Sequence, residues 1–292
     1  MRYDGLIIRP PSEAASLILQ VAVGCAHNKC TFCPAYKAKQ FRAKSLEEVF
    51  EDIDIAFDEY GSSVRRIFLC DGDPLILPFP HLLAILERLN RVFPKLQRVG
   101  IYGNATSILS KKPSELAELR SLKLGIVSLG LESGDPETLL AVRKDADPQE
   151  MIRAARLVRG AHIKLNVIVL LGLGGKQRSR EHARATISVL NQMQPNHVAA
   201  LTLMVVPDTP LHEAMQKGRF ELPGTFELLE ELREMLSGSE LKSCLFFSNH
   251  ASNYFSVQGR LPHDRQSLLE RLDQVLKSRD ASLLRPESSR GL

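Results

Sequence analysis

Three cysteines lie within nine residues in the first tenth or so of the sequence. Cys25, Cys30 and Cys33 form a C-x4-C-x2-C pattern directly after an apolar run at residues 17–23, which predicts a strand. Thiolates this close together can turn toward a single point, so the spacing indicates a metal or iron–sulfur site. Three cysteine ligands, rather than four, favour a cubane cluster with one iron left open. An open iron can bind a small molecule, so such a site can be catalytic.

The same cysteines have other chemical uses. A structural zinc site with His27 as the fourth ligand is possible. Buried thiols without a ligand role would rarely occur so close together. A disulfide is the weakest alternative, because a chain of 292 residues builds its core without one. The cluster interpretation is therefore the leading one.

The cysteine loop resembles the cluster-binding loop of the radical S-adenosylmethionine (SAM) superfamily, in which three cysteines follow the first strand of a barrel. Most members of that superfamily carry C-x3-C-x2-C, so this sequence has one extra residue between Cys25 and Cys30. The resemblance covers about residues 16–210. It implies a [4Fe–4S] cluster held by the three cysteines, SAM bound at its open iron, and Phe32 close to the adenine.

A carboxylate-rich turn follows the second predicted strand at residues 71–74. The family places a Gly-Gly-Glu-Pro-like motif here, which meets the amino group of SAM. The resemblance therefore assigns Asp71, Gly72 and Asp73 to the cofactor site. Independently of the family, a carboxylate and free carbonyls at a strand end suit an ammonium group. An ordinary turn has the same composition and is the alternative.

The later strand ends extend the resemblance. The G-L-E-S-G run at residues 130–134 is similar to the branch that includes coproporphyrinogen dehydrogenases and tRNA-modifying enzymes. By that resemblance Glu132 faces the cofactor, at its ribose hydroxyls, and Ser133 lies close to it. Arg143 would meet the SAM carboxylate, or would only complement a helix macrodipole. Gly172, at the end of the fifth predicted strand, would let the adenine lie against the backbone.

A polar segment follows the apolar stretch at residues 241–247. It contains Asn249, His250, Asn253 and Tyr254, whose amide, imidazole and phenol groups can hydrogen-bond a substrate or donate a proton. We expect Asn249, His250 and Tyr254 to act at the substrate. A polar turn that closes the barrel, with His250 bonded to backbone, is an equally open interpretation.

Six predicted strands alternate with helices, which indicates an α/β fold with a parallel sheet, either doubly wound or curled into a barrel. Polar and glycine-rich residues gather where the strands end, as in barrel active sites. The radical SAM resemblance implies a partial, six-stranded (β/α) TIM-like barrel. We expect an irregular lead-in at residues 1–15, the barrel at 16–210, a C-terminal extension at 211–277 and a flexible tail at 278–292.

Composition sets broad limits on the partners. The chain is 44% hydrophobic and 25% charged, and its net charge of +4 is too small to imply nucleic acid. The basic segment at residues 37–44 holds four Lys or Arg and no acid, so it could receive an anionic substrate or RNA, or be an ordinary solvated loop. There is no apolar run of membrane-span length and no signal-peptide pattern, so we expect a cytoplasmic protein without a membrane partner.

The sequence thus predicts, through the resemblance, a radical SAM enzyme that reductively cleaves SAM to a 5′-deoxyadenosyl radical. The radical would abstract hydrogen from an unidentified small molecule, peptide or tRNA, with flavodoxin or ferredoxin as a typical electron donor. One alternative is SAM cleavage with transfer of an aminocarboxypropyl group. Another is a zinc-stabilised module that binds RNA through the basic segment.

Overall fold

The computed structural model describes residues 1–291, in which helices and strands alternate along most of the chain. The strands are β1 (Leu17–Gln20), β2 (Ala22–Val23), β3 (Arg42–Ala43), β4 (Arg66–Cys70), β5 (Arg98–Tyr102), β6 (Leu124–Glu132), β7 (Lys164–Leu171), β8 (His197–Thr202), β9 (Cys244–Phe247) and β10 (Gln258–Leu261). The helices are α1 (Leu46–Tyr60), α2 (Phe79–Val92), α3 (Ala105–Leu109), α4 (Pro113–Ser121), α5 (Pro136–Ala141), α6 (Pro148–Gly160), α7 (Gly175–Met193), α8 (Pro210–Gln216), α9 (Thr225–Ser237) and α10 (Arg265–Ser278).

Two compact units divide the chain. The first unit consists of residues 1–28, 35–129 and 153–165. The second unit consists of residues 29–34 and 130–152, together with the chain from residue 166 onward. Contacts rather than chain order define these units, so their limits differ from the divisions at residues 15, 210 and 277 that the sequence suggested. Cys25 belongs to the first unit, and Cys30 and Cys33 belong to the second.

The first unit is built on parallel strands in the order β1-β4-β5-β6. Residues 67–70 of β4 are fully buried, which explains their unbroken apolar run. Helix α1 begins at the capping box that the sequence predicts: the Ser45 hydroxyl accepts a hydrogen bond from the Glu48 amide, and the Glu48 carboxylate accepts one from the Ser45 amide. β2 and β3 form a separate antiparallel pair.

The second unit contains the parallel strands β7, β8 and β9, with β10 antiparallel to β9. The sequence predicts β7 and β8 well, but it gives no sign of β10, whose four residues are mostly polar or glycine. Helix α9 packs between α7 and α10. Together, the mostly parallel strands and their connecting helices confirm the α/β class. Among the helices of residues 1–291, none has both the length and the apolar character of a membrane span.

Candidate active site

Within the first unit, Asp71 holds the start of the cysteine loop. Gly24 has a φ of +78°, a left-handed conformation that favours glycine, and its amide donates a hydrogen bond of 2.6 Å to Oδ2 of Asp71. Gln20 donates to the same oxygen at 3.0 Å, and Nζ of Lys39 lies 3.5 Å from it. The buried Asp71 carboxylate therefore fixes the backbone immediately before Cys25.

Gly72 lies directly against Cys25. A Cβ built on Gly72 would be 2.4 Å from Cβ and 3.0 Å from Sγ of Cys25, which is far too close for any side chain. The Gly72 amide also donates a hydrogen bond of 3.0 Å to the carbonyl of Gly24. The structure thus brings the strand-end turn and the first cysteine of the loop together.

Asp73 begins the next element. Its Oδ1 accepts hydrogen bonds from the Asn104 amide at 3.1 Å and from the Ser107 hydroxyl at 2.8 Å, so the carboxylate lies at the start of α3. The side chain is buried. Contact between Asp73 and the SAM amino group, which the family motif implies, stays a prediction.

Carboxylates neutralise most of the basic segment at residues 37–44. The pairs, with their N–O distances, are Lys39 with Asp71 at 3.5 Å, Arg42 with Glu48 at 3.1 Å and Lys44 with Asp52 at 2.9 Å. The fourth basic side chain, Lys37, donates a hydrogen bond to a backbone carbonyl. Because three of the four charges are paired internally, this segment offers little free positive charge to RNA. The RNA-binding alternative therefore loses its main support.

The second unit anchors the other end of the cysteine loop through Thr31, which lies between Cys30 and Cys33. The Thr31 amide donates to the carbonyl of Val142 at 3.0 Å, and the Thr31 carbonyl accepts from the amide of Leu211 at 3.0 Å. Phe32 packs against an apolar cluster formed by Val142, Leu173, Leu203 and Leu211. This packing fixes the position of the Phe32 ring. Contact between Phe32 and the adenine stays a prediction.

The five cysteines fall into two groups. None of them forms a disulfide, and Cys25, Cys30 and Cys33 are partly exposed, whereas Cys70 and Cys244 are buried. Burial raises the pKa of both Cys70 and Cys244 to about 12, which suits inert core thiols. Burial also raises the pKa of Cys30 to about 12, with Lys144 acting in the opposite direction. Exposure to solvent, rather than the pKa, therefore distinguishes the loop cysteines from the two core thiols.

Two buried oxygen atoms beside these cysteines have no hydrogen-bond partner within residues 1–291. They are Oδ1 of Asp71, in the first unit, and Oγ1 of Thr31, in the second. Among the same residues, no three His, Cys, Asp or Glu side chains already converge as a metal site. In each unit, a loop cysteine thus has an unsatisfied oxygen near it, Asp71 on the side of Cys25 and Thr31 next to Cys30, which fits a group that brings both a metal and hydrogen-bond donors.

Glu132 stands at the end of β6 in a left-handed conformation, with a φ of +62°. Its carboxylate folds back over Gly130, where a Cβ would lie 2.1 Å from Oε1 of Glu132. Nζ of Lys144 lies 3.6 Å from the same oxygen. Burial raises the pKa of Glu132, and Lys144 partly offsets that shift. Arg143, which the family resemblance implies, is exposed, whereas the cation beside Glu132 is its neighbour Lys144, which no sequence motif indicates.

Ser133 and Gly134, which follow β6 in the sequence, contact α7 within the second unit. The Ser133 hydroxyl lies 2.7 Å from Nδ1 of His182, and the Gly134 amide donates to Oγ1 of Thr186 at 2.9 Å. A Cβ on Gly134 would lie 2.3 Å from the carbonyl oxygen of Ala185. The close approach that these small residues allow is therefore to α7. Contact between Ser133 and the cofactor stays a prediction.

Gly172 is hydrogen-bonded to Glu231, which no sequence motif indicates. Its φ is +85°, and its amide donates a hydrogen bond of 2.7 Å to Oε2 of Glu231 on α9. The other carboxylate oxygen of Glu231 accepts from the Ser179 hydroxyl at 2.7 Å. Burial raises the pKa of Glu231 to about 7. The available signal was an acid on the apolar face of α9, next to the buried Leu232.

The polar segment at residues 249–254 is largely bonded within the second unit. Asn249 donates to Oε1 of Gln258 at 3.0 Å, and the Tyr254 hydroxyl donates to Oε2 of Glu287 at 2.5 Å. Nδ1 of His250 lies 2.9 Å from the Ser252 hydroxyl, and burial lowers the pKa of His250. Nε2 of His250 makes no hydrogen bond to any residue that the structure describes.

Residues near the carboxyl end hold the same segment in place. Nη1 of Arg285 donates to the carbonyls of His250, Ala251 and Asn253 at 2.9, 2.6 and 3.2 Å. Nε of Arg290 donates to the carbonyl of Ser252 at 2.7 Å. The region for which the sequence predicts a flexible tail thus supplies two arginines that bind this loop.

Comparison with known proteins gives a family match and distant relatives. The model of the radical SAM superfamily matches residues 19–187. Heme chaperone HemW of Escherichia coli is 23% identical over 205 residues, which are 66% of this chain and 52% of that protein. An uncharacterized methyltransferase of Pyrococcus horikoshii is 26% identical over 203 residues, 67% of this chain and 41% of that protein. The chain spans about half the length of these curated relatives or less.

Two solved structures illustrate the fold. Coproporphyrinogen III oxidase HemN of Escherichia coli, described as a radical SAM enzyme, has a TM-score of 0.55 at 15% identity, over 76% of this chain and 51% of its own. The radical SAM methyltransferase TsrM of Kitasatospora setae, solved with cobalamin and a [4Fe–4S] cluster, has a TM-score of 0.55 at 18% identity, over 72% and 41%. These likenesses confirm the fold class predicted from the sequence.

Proposed function

Because the chain belongs to the radical SAM superfamily, we propose that Cys25, Cys30 and Cys33 hold a [4Fe–4S] cluster that binds SAM. The observation that best supports this proposal is the pair of unpartnered buried oxygens beside the loop, Oδ1 of Asp71 and Oγ1 of Thr31. Orphaned polar atoms are rare in folded proteins and are costly unless a ligand satisfies them. Asp71 holds the residue before Cys25, and Thr31 lies between Cys30 and Cys33 in the sequence.

The cluster and SAM, when bound, supply one-electron cleavage of the sulfonium to methionine and a 5′-deoxyadenosyl radical, which removes a hydrogen atom from the substrate. The chain binds and orients the reactants. We assign the buried Asp73 to the SAM ammonium group and Glu132, a largely buried carboxylate at the end of β6, to its ribose hydroxyls. The proposed cofactor set is completed by Phe32, Asp71, Gly72, Ser133, Arg143 and Gly172.

On the substrate side, His250 is the strongest of the three proposed residues. Its Nδ1 is bonded to Ser252, which fixes the ring, while Nε2 has no partner within residues 1–291. That leaves one nitrogen to bond a substrate or move a proton. Asn249 and Tyr254 flank it and would give up their bonds to Gln258 and Glu287 on substrate binding. The substrate and the one-electron donor are unidentified.

The test is anaerobic reconstitution with iron and sulfide, followed by SAM and dithionite. One electron per SAM should give one methionine and, after hydrogen abstraction, one 5′-deoxyadenosine. Transfer of an aminocarboxypropyl group would instead leave 5′-methylthioadenosine. Formation of neither product by an iron-loaded enzyme would contradict the proposal.

Cysteine variants locate the ligands. Cys30→Ala should lose most of the bound iron and all SAM cleavage, because three thiolates are the minimum for an open-site cubane. Cys244→Ala is the matched control, since Cys244 is buried and away from the loop in sequence. Equal loss of iron in both variants would show that the ligand assignment is wrong.

A further inference from the structure

A pocket of about 730 Å³ lies in the first unit at the amino ends of β1 and β4. Its wall includes residues 16–18 at the start of β1 and residues 65–66 at the start of β4. The cysteine loop and Asp71 follow the carboxyl ends of the same sheet. We call this concavity the amino-end pocket. Its volume falls within the range of small-molecule sites.

The charged side chains that line the amino-end pocket are all arginines, while Glu59 is hydrogen-bonded to the hydroxyl of the lining residue Tyr60. Arg9, Arg65 and Arg66 line the pocket, and no acidic residue does. None of these three guanidinium groups forms an ion pair or a hydrogen bond in the part of the chain that the structure describes. By contrast Arg98, next to Arg66 on β5, is paired with Glu13 at 2.5 Å. Three permanent like charges around one concavity create a potential that favours an anion.

Two tyrosines add a flat apolar surface. Tyr3 and Tyr60 line the same pocket and are 44% and 47% exposed. The Tyr3 hydroxyl donates a hydrogen bond of 2.7 Å to the carbonyl of Ile18, which fixes the ring at the start of β1. Burial raises the pKa of Tyr3 to about 12, so the phenol stays neutral beside the arginines. Exposed aromatic faces of this kind stack with planar rings.

We propose that the amino-end pocket binds a small molecule with at least two anionic groups next to a planar ring, of the class of nucleoside diphosphates. A guanidinium group binds phosphate oxygens through paired N–H donors, and Arg9, Arg65 and Arg66 all lack carboxylate partners among residues 1–291. The rings of Tyr3 and Tyr60 stack with the base of this ligand. β4 is five residues long, about 16 Å, so this ligand does not reach the cysteine loop.

Calorimetric titration of the full chain at low salt tests the proposal. The ligands are guanosine diphosphate, pyrophosphate and guanosine, because guanine avoids the adenine that SAM carries. Guanosine diphosphate should bind most tightly, pyrophosphate more weakly and guanosine most weakly. Added salt should weaken the first two. No heat from guanosine diphosphate or pyrophosphate at millimolar concentration would overturn the site.

Variants separate the two parts of the pocket. The double change Arg65→Gln and Arg66→Gln should weaken guanosine diphosphate binding about tenfold or more. If that variant fails to fold, Arg9→Gln, which lies before β1, should give a smaller loss in the same direction. Tyr60→Leu should weaken guanosine diphosphate but not pyrophosphate. Arg156→Gln is the control, because Arg156 is an exposed arginine of the first unit outside the pocket.

Other results would overturn the proposal in distinct ways. Equal losses in Arg156→Gln and in the double variant would mean nonspecific attraction to net charge. Equal affinity for pyrophosphate and guanosine diphosphate would remove the planar ring from the ligand class. Binding of an RNA oligonucleotide but not of guanosine diphosphate would replace the small molecule with a polymer.

Discussion

Nε2 of His182 lies 3.8 Å from Oε2 of Glu231, and both side chains are buried. Burial lowers the pKa of His182 to about 4 and raises the pKa of Glu231 to about 7. Both groups are therefore neutral between those two pH values. The contact is between two neutral side chains and is not an ion pair.

The two shifts act on stability in opposite directions. The pKa of Glu231 is 4.5 in the unfolded chain and about 7 in the folded chain, so the folded chain binds this proton more tightly. The resulting stabilisation of the fold is complete below pH 4.5 and is lost as the pH rises to about 7. The pKa of His182 is 6.5 in the unfolded chain and about 4 in the folded chain, so below pH 6.5 the unfolded chain binds this proton first. Stability from His182 therefore rises with pH from 4 to 6.5. In the wild type the two dependences oppose each other.

Replacing Glu231 should reveal the pH dependence of stability that His182 contributes. In Glu231→Gln the free energy of unfolding should rise from pH 4 to 6.5 more steeply than in the wild type, by up to about 3 kcal/mol, because each pKa unit is worth about 1.4 kcal/mol. Urea unfolding at several pH values measures this. Glu230→Gln, an exposed neighbour, should follow the wild-type profile. Parallel profiles for all three proteins would rule out the assigned pKa of Glu231.

Gly72→Ala should disturb the cysteine loop. Its Cβ would lie 2.4 Å from that of Cys25, so the loop must move, at a cost of about 1–3 kcal/mol in the free energy of unfolding. Iron bound after anaerobic reconstitution should fall by more than half. Gly160→Ala is the control, because nothing lies within 4 Å of its new Cβ. Normal iron loading of Gly72→Ala would show that the position of Cys25 is not critical.

Thr31→Val should stabilise the cluster-free protein. Its Oγ1 is buried without a partner, so replacing the hydroxyl with a methyl removes a desolvation penalty of about 1 kcal/mol or more. Thr138→Val is the matched change, since the Thr138 hydroxyl donates to Asp135 at 2.6 Å and its loss should destabilise the fold. Urea unfolding compares the two. If Thr31→Val is the less stable variant, Thr31 has a partner within the protein.

Arg285→Gln should loosen the loop at residues 249–254. Arg285 donates to three carbonyls of that loop, and glutamine cannot reach all of them. Amide hydrogen exchange in the loop should become faster, whereas exchange in β7 should not change. Arg219→Gln, on the exposed turn after α8, is the control. Unchanged exchange in the loop would mean that the arginine contributes nothing to its order.

Local signals explain what the sequence revealed. Three features could be recognised without a structure, because each is formed by residues that are close together in the sequence. They are the unbroken apolar run of β4, the capping box of α1 at Ser45 and the cysteine spacing. The partners of the predicted site residues are not local. His182 meets Ser133 across 49 residues, and Glu231 meets Gly172 across 59. Periodicity shows which face of a helix is buried but not what it meets.

Charge was harder to interpret than apolarity. The basic segment at residues 37–44 contains no acid, yet Asp52, Glu48 and Asp71 neutralise most of it. Asp52 could have been recognised, because it lies on the buried face of α1 beside Val49 and Ile53. A buried acid needs a cation, and Lys44 is the nearest candidate in sequence. Asp71 gave no such sign, since a strand-end acid suits a turn equally well.

The two arginines at positions 285 and 290 bear on the order in which the protein matures during synthesis. The loop at residues 249–254 leaves the ribosome before these two arginines. Its carbonyls at His250 and Ala251 are therefore hydrated until Arg285 is available to donate hydrogen bonds to them. Until that residue emerges, a nascent chain can complete β9 but not the loop that follows it. A chain truncated after residue 284 should therefore be more sensitive to protease at this loop than the full chain, with no change at β7.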